Sequence, residues 1–339
     1  MSESRFFHVT PAGKLVRIST LAELLEALKG GGYAWLDFFD PAKEDLVSLV
    51  EPLNVHPLSI EDCLDEEQVP KIEDFPTNTF MIFNAYRVQG QALAIEELGI
   101  IIGKNFLITV TGRQGGSLRL REKVEETAAL DQASIKRGPD FLLHIILDFT
   151  VDHKLAALEA LQDEIDAAEE AILKGSARFT PKVLMRLRRH LLALRKSLFH
   201  EREILVKICR GDCPYISQKS IYRFRDVYDH LVKYFETVEI GREMITSLME
   251  MHLSMVNNRM AEVGNRTNAT MRRLTLITTV FMPLTLLAGI GGMSEWSMMT
   301  GPSNWRIAYP AFLAAMVVLG ALNYYILKVV EKRGHRKQD

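Results

Sequence analysis

The sequence predicts an α+β membrane protein: a cytoplasmic α/β domain at 1–138, a helical domain with a stalk helix at 139–273, a two-span transmembrane domain at 274–330 and a basic tail at 331–339. Three observations carry that prediction. Short β-branched and aromatic runs alternate with helically spaced segments only as far as about Gly138, after which nearly everything fits a helix. A helical run begins near Ser217 and meets no proline before Pro283. Two apolar stretches, Leu274–Gly292 and Ile307–Val330, each hold about the twenty residues that cross a hydrocarbon layer of roughly 30 Å.

In the α/β part, Leu15–Ile18, Tyr33–Asp37, Phe80–Val88, Glu97–Ile102 and Phe106–Thr111 read as strands bounded by turn residues. Leu21–Lys29 and Lys43–Leu53 have helical spacing, and the first ends at Gly30-Gly31-Gly32. Gly103-Lys104-Asn105 reads as a hairpin tip. Pro139 opens an acidic helix that ends at Gly175 and carries Asp148, Asp152, Glu159, Asp163, Glu164, Asp166, Glu169 and Glu170. The next helix, Thr180–Arg210, is basic through Lys182, Arg186, Arg188, Arg189, Arg195, Lys196 and Arg202. Opposite charge makes these an antiparallel pair, and the surplus acids also suit cations near a cytoplasmic mouth. Continued through the first apolar stretch, the third run holds about 75 residues, or roughly 110 Å. A helix of that length needs neighbours, as in a coiled coil or symmetric bundle.

The 339 residues carry a formal net charge of −2, and the mean hydropathy near zero averages a charged front with an apolar tail. Arg266, Arg272 and Arg273 precede the first stretch, and Lys328, Lys332, Arg333, Arg336 and Lys337 close the second. Between them stand only Glu295 and Arg306. The positive-inside rule therefore puts both termini in the cytoplasm and the loop outside, in a multi-pass protein of the cell (inner) membrane. The first residues have no apolar core of a cleaved leader. Cys63, Cys209 and Cys213 all fall in the part assigned to the cytosol, where disulfides are not expected, and Cys209-x-x-x-Cys213 lacks the second pair of a zinc site. No HExxH, phosphate loop or nucleophile–base grouping occurs, and neither span holds an acid or histidine. No enzyme activity, resident cofactor or nucleic-acid partner is expected.

The first span is rich in Thr275, Thr278, Thr279, Thr285, Pro283, Gly289, Gly291 and Gly292, which suit close packing or a wet pore better than lipid. The second is greasier and reads as its lipid-facing partner. Steps of three or four from Asn268 give Asn268, Met271, Leu274 or Thr275, Thr278, Met282, Thr285 and Gly289, a stripe without charge. Hydroxyls and carbonyls suit hydrated hard cations, and rings of Met and Leu suit a dewetting gate. The plain alternative is a packing face of small and flexible residues.

Over nearly its full length the chain resembles the CorA family of divalent-cation channels. The resemblance rests on the order of HPLSIEDCLDEEQVPKIEDF (His56–Phe75), PDFLLHIILDFTVDH (Pro139–His153), FRDVYDH (Phe224–His230), NRTNATMRRLT (Asn265–Thr275) and FMPLTLLAGIGGM (Phe281–Met293), with a second span opening near Tyr309-Pro310. It implies a homopentamer with a cytoplasmic funnel, a stalk helix continuous with the pore-lining span and an outer ring of second spans. It implies conduction of Mg²⁺, often Co²⁺ or Ni²⁺, with a zinc-transporting branch. By position, Asn268, Met271, Leu274, Met282 and Thr285 fall on the family's pore line, and Gly292-Met293 on the first two residues of its Gly-Met-Asn signature. Asp226 matches an acid at an inter-subunit cation site that holds the channel closed, and Glu250 another acidic ring. Regulation would then be linkage, with metal favouring the closed state.

Two departures stand out. Ser294 replaces the signature asparagine, so its shorter hydroxyl stands where an amide is expected, and Glu295 beside it offers a ring of acids in compensation. Gly291 stands where the family has an aromatic. In the stalk, Asn258 to Gly264 reads as an added heptad: NNRMAEV and GNRTNAT repeat with asparagine at the second position, lengthening the helix by roughly 10.5 Å. Asn258, Asn265 and Asn268 would add polar rings, against the plain reading of a tolerated insertion. The leading reading is a passive channel for divalent metal ions, Mg²⁺ and then Co²⁺, whose partners are its own copies and membrane lipid. A Zn²⁺ or broadly selective transporter of the same fold is the alternative. From another class comes a non-conducting metal sensor or membrane scaffold.

Overall fold

The computed structural model describes residues 3–65, 68–90, 92–112, 120–130, 135–175, 179–292, 301 and 304–335. Strands β1 (Glu3–Val9), β2 (Leu15–Ile18), β3 (Tyr33–Phe39), β4 (Ile72–Asp74), β5 (Thr79–Gln89), β6 (Ala92–Ile102) and β7 (Phe106–Thr111) form one sheet in the order β2-β1-β3-β7-β6-β5-β4. β3 and β7 pair in parallel, from Ala34↔Phe106 to Phe39↔Thr111, and the other neighbours are antiparallel. Central strands covered on both faces need apolar residues on both, and β3 and β7 are buried almost throughout. One face packs Leu36, Phe38, Phe80, Ile82 and Ile108 against α1 (Leu21–Lys29), α2 (Lys43–Val47), α3 (Val50–Leu53) and α4 (Pro57–Leu64). On alternate residues Trp35 stacks on Phe7 at 4.8 Å, and its indole donates to Thr109 Oγ1 at 3.1 Å.

The expected hairpin at Gly103 is present, with Gly103 N donating to Phe106 O at 3.0 Å. Three local expectations change. Strand β6 begins at Ala92 rather than Glu97, because the β5–β6 ladder continues to Gln89↔Ala92. Residues Lys43–Leu53 are two helices, not one. Pro52 has no N–H for the Ser48 carbonyl and its ring crowds that group, so the turn breaks there. Strand β1, inside the sheet, and the edge strand β4 lie outside the expected strands; β1 is fixed by pairing on both sides, to β2 and β3.

After α5 (Leu120–Leu130) come α6 (Pro139–Leu173), α7 (Lys182–Arg210) and α8 (Ile221–Gly291). Contacts Glu164–Arg186 at 2.5 Å and Lys154–Glu201 at 2.5 Å run in opposite directions along α6 and α7, so these two are antiparallel. Asp152–His230 and Gln162–Met244 advance together, so α6 and α8 are parallel. Arg195 of α7 and Arg242 both pair with Glu239 on α8. Lys154 and Glu201, both fully buried, tie the two helices to β5 through the backbone of Asn84.

The described residues cluster as two units, Met1–Met251 and His252–Asp339, with α8 running through both. In the second unit the end of α8 is joined by α9 (Trp305–His335). Both contain a segment long and apolar enough to cross a membrane. Asn257 to Thr275 is exposed on every face. Yet Leu253, Val256, Met260, Val263, Leu274 and Ile277, all exposed, fall on the three-and-four spacing of a coiled-coil seam. One copy leaves that seam uncovered.

Candidate functional site

Within the span, Leu276, Val280, Pro283, Leu284, Leu287 and Gly291 are half-buried, and this row faces α9. Met271, Leu274, Thr278, Met282, Thr285 and Gly289 are exposed. At 3.5 to 3.6 residues per turn the centres of the two rows lie roughly 160–180° apart. α9 therefore covers the back of α8 and leaves the expected stripe open. Asn268 continues it one turn earlier, also exposed. Asn258 and Asn265 share a face with each other, roughly 90° from the centre of that line on a 3.5-residue wheel, so they flank it.

The threonines define the stripe's chemistry. Thr278 Oγ1 donates to Leu274 O at 2.9 Å and Thr285 Oγ1 to Phe281 O at 2.8 Å, while Thr275 and Thr279 do the same behind them. A hydroxyl whose proton is held by its own backbone offers only lone pairs outward. A hydrated cation presents water hydrogens, so acceptor oxygens without competing charge are the groups that suit it. Of the expected entrance segment, Gly292 closes the helix by donating to Ala288 O at 3.0 Å. Met293, Ser294 and Glu295 lie outside the described residues.

A second candidate site joins α6 and α8. Asp148 and Asp152 are one turn apart on α6, and His230 reaches them from α8, with one ligand atom from each residue within 4.8 Å of the others. His230 Nδ1 is buried without a hydrogen bond and sits 4.0 Å from Asp152 Oδ1. Burial, then the charges of Asp152 and Asp226, push the Asp148 carboxyl above its ordinary range. Tyr234, stacked on His230 at 6.3 Å, is raised by burial and by Asp152 and Asp148. Repelling carboxylates beside an unsatisfied imidazole fit a divalent cation: carboxylates suit Mg²⁺, and neutral imidazole adds affinity for Co²⁺ or Zn²⁺. Asp226, one turn before His230, borders this cluster and is exposed. Glu250 is exposed on α8, outside the cluster. Sequence reasoning marked Asp226 but not His230, although both motifs showed the one-turn spacing, Asp148–Asp152 and Asp226–His230.

The family described as CorA-like Mg²⁺ transporter protein matches residues 30–333. The cobalt/magnesium transport protein CorA of Thermotoga maritima is 33% identical over 292 residues, 85% of this chain and 80% of that protein. The putative metal ion transporter YfjQ of Bacillus subtilis is 29% identical over 87% of this chain and 88% of that protein. Among solved structures, the complete CorA magnesium transporter from Methanocaldococcus jannaschii superposes with a TM-score of 0.70 at 24% identity, covering 96% of this chain and 97% of that one. That likeness carries the fold: a soluble α/β part, a long helix and two apolar helices.

Proposed function

The chain belongs to the family of CorA-like Mg²⁺ transporter proteins, and from that premise we propose that it is a homopentameric channel carrying divalent metal cations, Mg²⁺ and also Co²⁺, through a cell (inner) membrane. One observation carries the reading. The face of α8 opposite α9 is uncharged, open and lined with hydroxyl acceptors, Thr278 and Thr285, between Met271, Leu274 and Met282. Five copies about an axis would turn that face inward and cover the apolar seam at Leu253–Ile277 with neighbouring stalks. Waters of the hydrated ion would donate to the threonine oxygens, Asn268 and Gly289 would lend polar groups, and the Met and Leu rings would gate by dewetting. On this reading residues 1–138 and 139–273 with the 331–339 tail are cytoplasmic, residues 274–292 line the pore and 307–330 surround it.

Gly292, Met293, Ser294 and Glu295 would form the entrance, with Glu295 concentrating cations where Ser294 holds them less firmly than an amide would. Asp148, Asp152 and His230, with Asp226 alongside, would hold the regulatory metal that stabilises the closed state, and Glu250 an acidic ring below. Asn258 and Asn265 would add flanking polar rings to the lengthened stalk. The test is ion uptake by proteoliposomes with Mg²⁺, Co²⁺ and Zn²⁺ in competition. Mg²⁺ uptake reduced by Co²⁺ is expected, and Ser294→Asn should raise the preference for Mg²⁺. Uptake of Zn²⁺ without Mg²⁺ makes the protein a zinc transporter instead. No uptake of any ion by the folded oligomer makes it a sensor or scaffold.

A further inference from the structure

The outer face of α7 repeats one pattern. Lys182, Met185, Arg189, Leu192, Lys196 and Phe199 recur every three or four residues, a cation and then an apolar side chain, along one side of the helix. That side lies roughly 150° round from the buried row Leu184, Leu187, Leu191, Leu194 and Leu198, which packs into the bundle. Met185, Leu192 and Phe199 stand one heptad apart and are 51%, 54% and 42% exposed. Single exposed apolar residues are ordinary, but three in heptad register make a seam. Among the described residues, Lys182, Arg189 and Lys196 make no hydrogen bond or ion pair. α6 carries the complement. Leu155, Glu159, Asp163 and Asp166 are exposed on one face, roughly 125° from that helix's own buried row. Glu159 and Asp163 have no cation beside them among the described residues, and Asp166 accepts only a neutral amide proton from Gln162 Nε2 at 3.0 Å.

Both faces turn away from the hairpin, so the cations of α7 do not meet the acids of their own α6. Their levels nevertheless match. The contacts Glu164–Arg186 and Lys154–Glu201 fix the height of one helix against the other. Counting from them at 1.5 Å per residue sets Lys182 level with Asp166, Arg189 with Asp163, Lys196 with Glu159 and Phe199 with Leu155, each to within roughly 3 Å. Rotation about an axis along α8 preserves height, so the same pairs are level between one copy and the next. We propose that α7 of one copy docks on α6 of its neighbour through these faces, in a ring of hairpin contacts additional to the stalk seam. The inference rests on the reading of the chain as a ring of copies. An acid face against a basic face is a head-to-tail contact, the kind that closes into a ring. Opposite charges at matching heights set its register, and Phe199 against Leu155 gives it an apolar centre. The chain itself carries the complementary surface, so the partner is a second copy.

Crosslinking of the full-length oligomer in detergent provides the test. Lys196→Cys combined with Glu159→Cys, once oxidised, should give a thiol-reducible ladder above the monomer on denaturing gels. The wild type, which keeps Cys63, Cys209 and Cys213, sets the background. Either single variant should give several-fold less, and so should Lys196→Cys with Asp166→Cys, which is out of level by about 10 Å. Should the double variant not assemble, charge reversal carries the test. Arg189→Glu with Lys196→Glu should lower the temperature at which the oligomer dissociates at low salt, and adding Glu159→Lys with Asp163→Lys should restore it. An assembled double-cysteine variant that runs as monomer overturns the inference. So does a ladder equally strong in the single variants or the out-of-level pair. Where charge reversal stands in, wild-type dissociation, or a loss that the second reversal does not restore, overturns it. A wild type that is itself monomeric in detergent is a different result and removes the ring, and with it the channel reading.

Discussion

Lys154 is fully buried, and its ammonium donates to Glu201 Oε1 and Oε2 at 2.5 and 2.6 Å and to the Asn84 carbonyl at 2.5 Å. Glu201 in turn accepts from Asn84 N at 2.8 Å. Burial lowers the lysine's pKa and raises the glutamate's, and each partner opposes that effect on the other. Removing one member strands the second charge, so Lys154→Met or Glu201→Leu alone should cost about 3–5 kcal/mol. The double Lys154→Met/Glu201→Leu should recover most of that loss, because well-packed apolar pairs often replace buried ion pairs without penalty. Chemical unfolding of the three variants in detergent decides it; a double variant as unstable as the worse single would show that packing, not the stranded charge, dominates. His144, edge-on to Phe224 at 5.7 Å, is held at about 4 rather than the usual 6.5 by burial and then by the Arg223 charge. A depressed histidine favours the folded state fully above its unfolded value and loses that contribution as pH falls through the folded one. Stability should therefore drop between roughly pH 6.5 and pH 4. His144→Gln should flatten that slope in thermal unfolding followed across the range, and an unchanged slope would assign the loss to other groups.

Among the elements, the helices were the most legible. Pro139, Gly175, the basic run Thr180–Arg210 and the long proline-free run mark α6, α7 and α8 in the sequence, and the structure ends α6 and α7 near those marks. Strand pairing was less legible, because β3 and β7 meet across some seventy residues and local periodicity holds no trace of it. The metal cluster failed for the same reason: each one-turn pair was readable, but the approach of α6 to α8 belongs to tertiary packing. If Asp148, Asp152 and His230 bind a divalent ion, saturating Mg²⁺ or Co²⁺ should raise the thermal midpoint. At a hundredfold excess over Kd the gain is about 2.7 kcal/mol. Asp148→Asn with His230→Ala should abolish it, whereas a full ion-induced shift in that variant would place the ion elsewhere. The stalk gives a second prediction. Deleting Asn258–Gly264 removes one heptad and turns the helix by only about 20°, so oligomer and ion flux should survive. Deleting five residues from the same segment turns it by roughly 140° and should dissociate the ring on size-exclusion chromatography. Equal tolerance of both deletions would mean that the exposed Leu253–Ile277 seam does not join neighbouring copies.

For the whole molecule, the question is what energy moves the ion. Neither span has an acid or histidine to relay protons, and the open stripe of α8 carries no charge to couple one ion's movement to another's. Its threonine hydroxyls give their protons to the helix backbone, so the proposed pathway offers acceptor oxygens and no titrating group. On the proposed path a divalent ion would move down its own electrochemical gradient, uncoupled to any other ion, so at equal concentrations the membrane potential would set its direction. At about 2.3 kcal/mol per charge per 100 mV, two charges give about 4.6 kcal/mol. Since 1.4 kcal/mol is a factor of ten, a potential of 100 mV, negative inside, should accumulate Mg²⁺ on the order of a thousandfold at equilibrium. Proteoliposomes clamped by a potassium gradient and ionophore measure this directly, with a Mg²⁺-sensitive dye inside. Uptake should track the imposed potential, reverse when its sign is reversed, and ignore a proton gradient. Accumulation that follows the proton gradient at zero potential would make the protein a coupled transporter, and the uncharged stripe could not then be its whole mechanism.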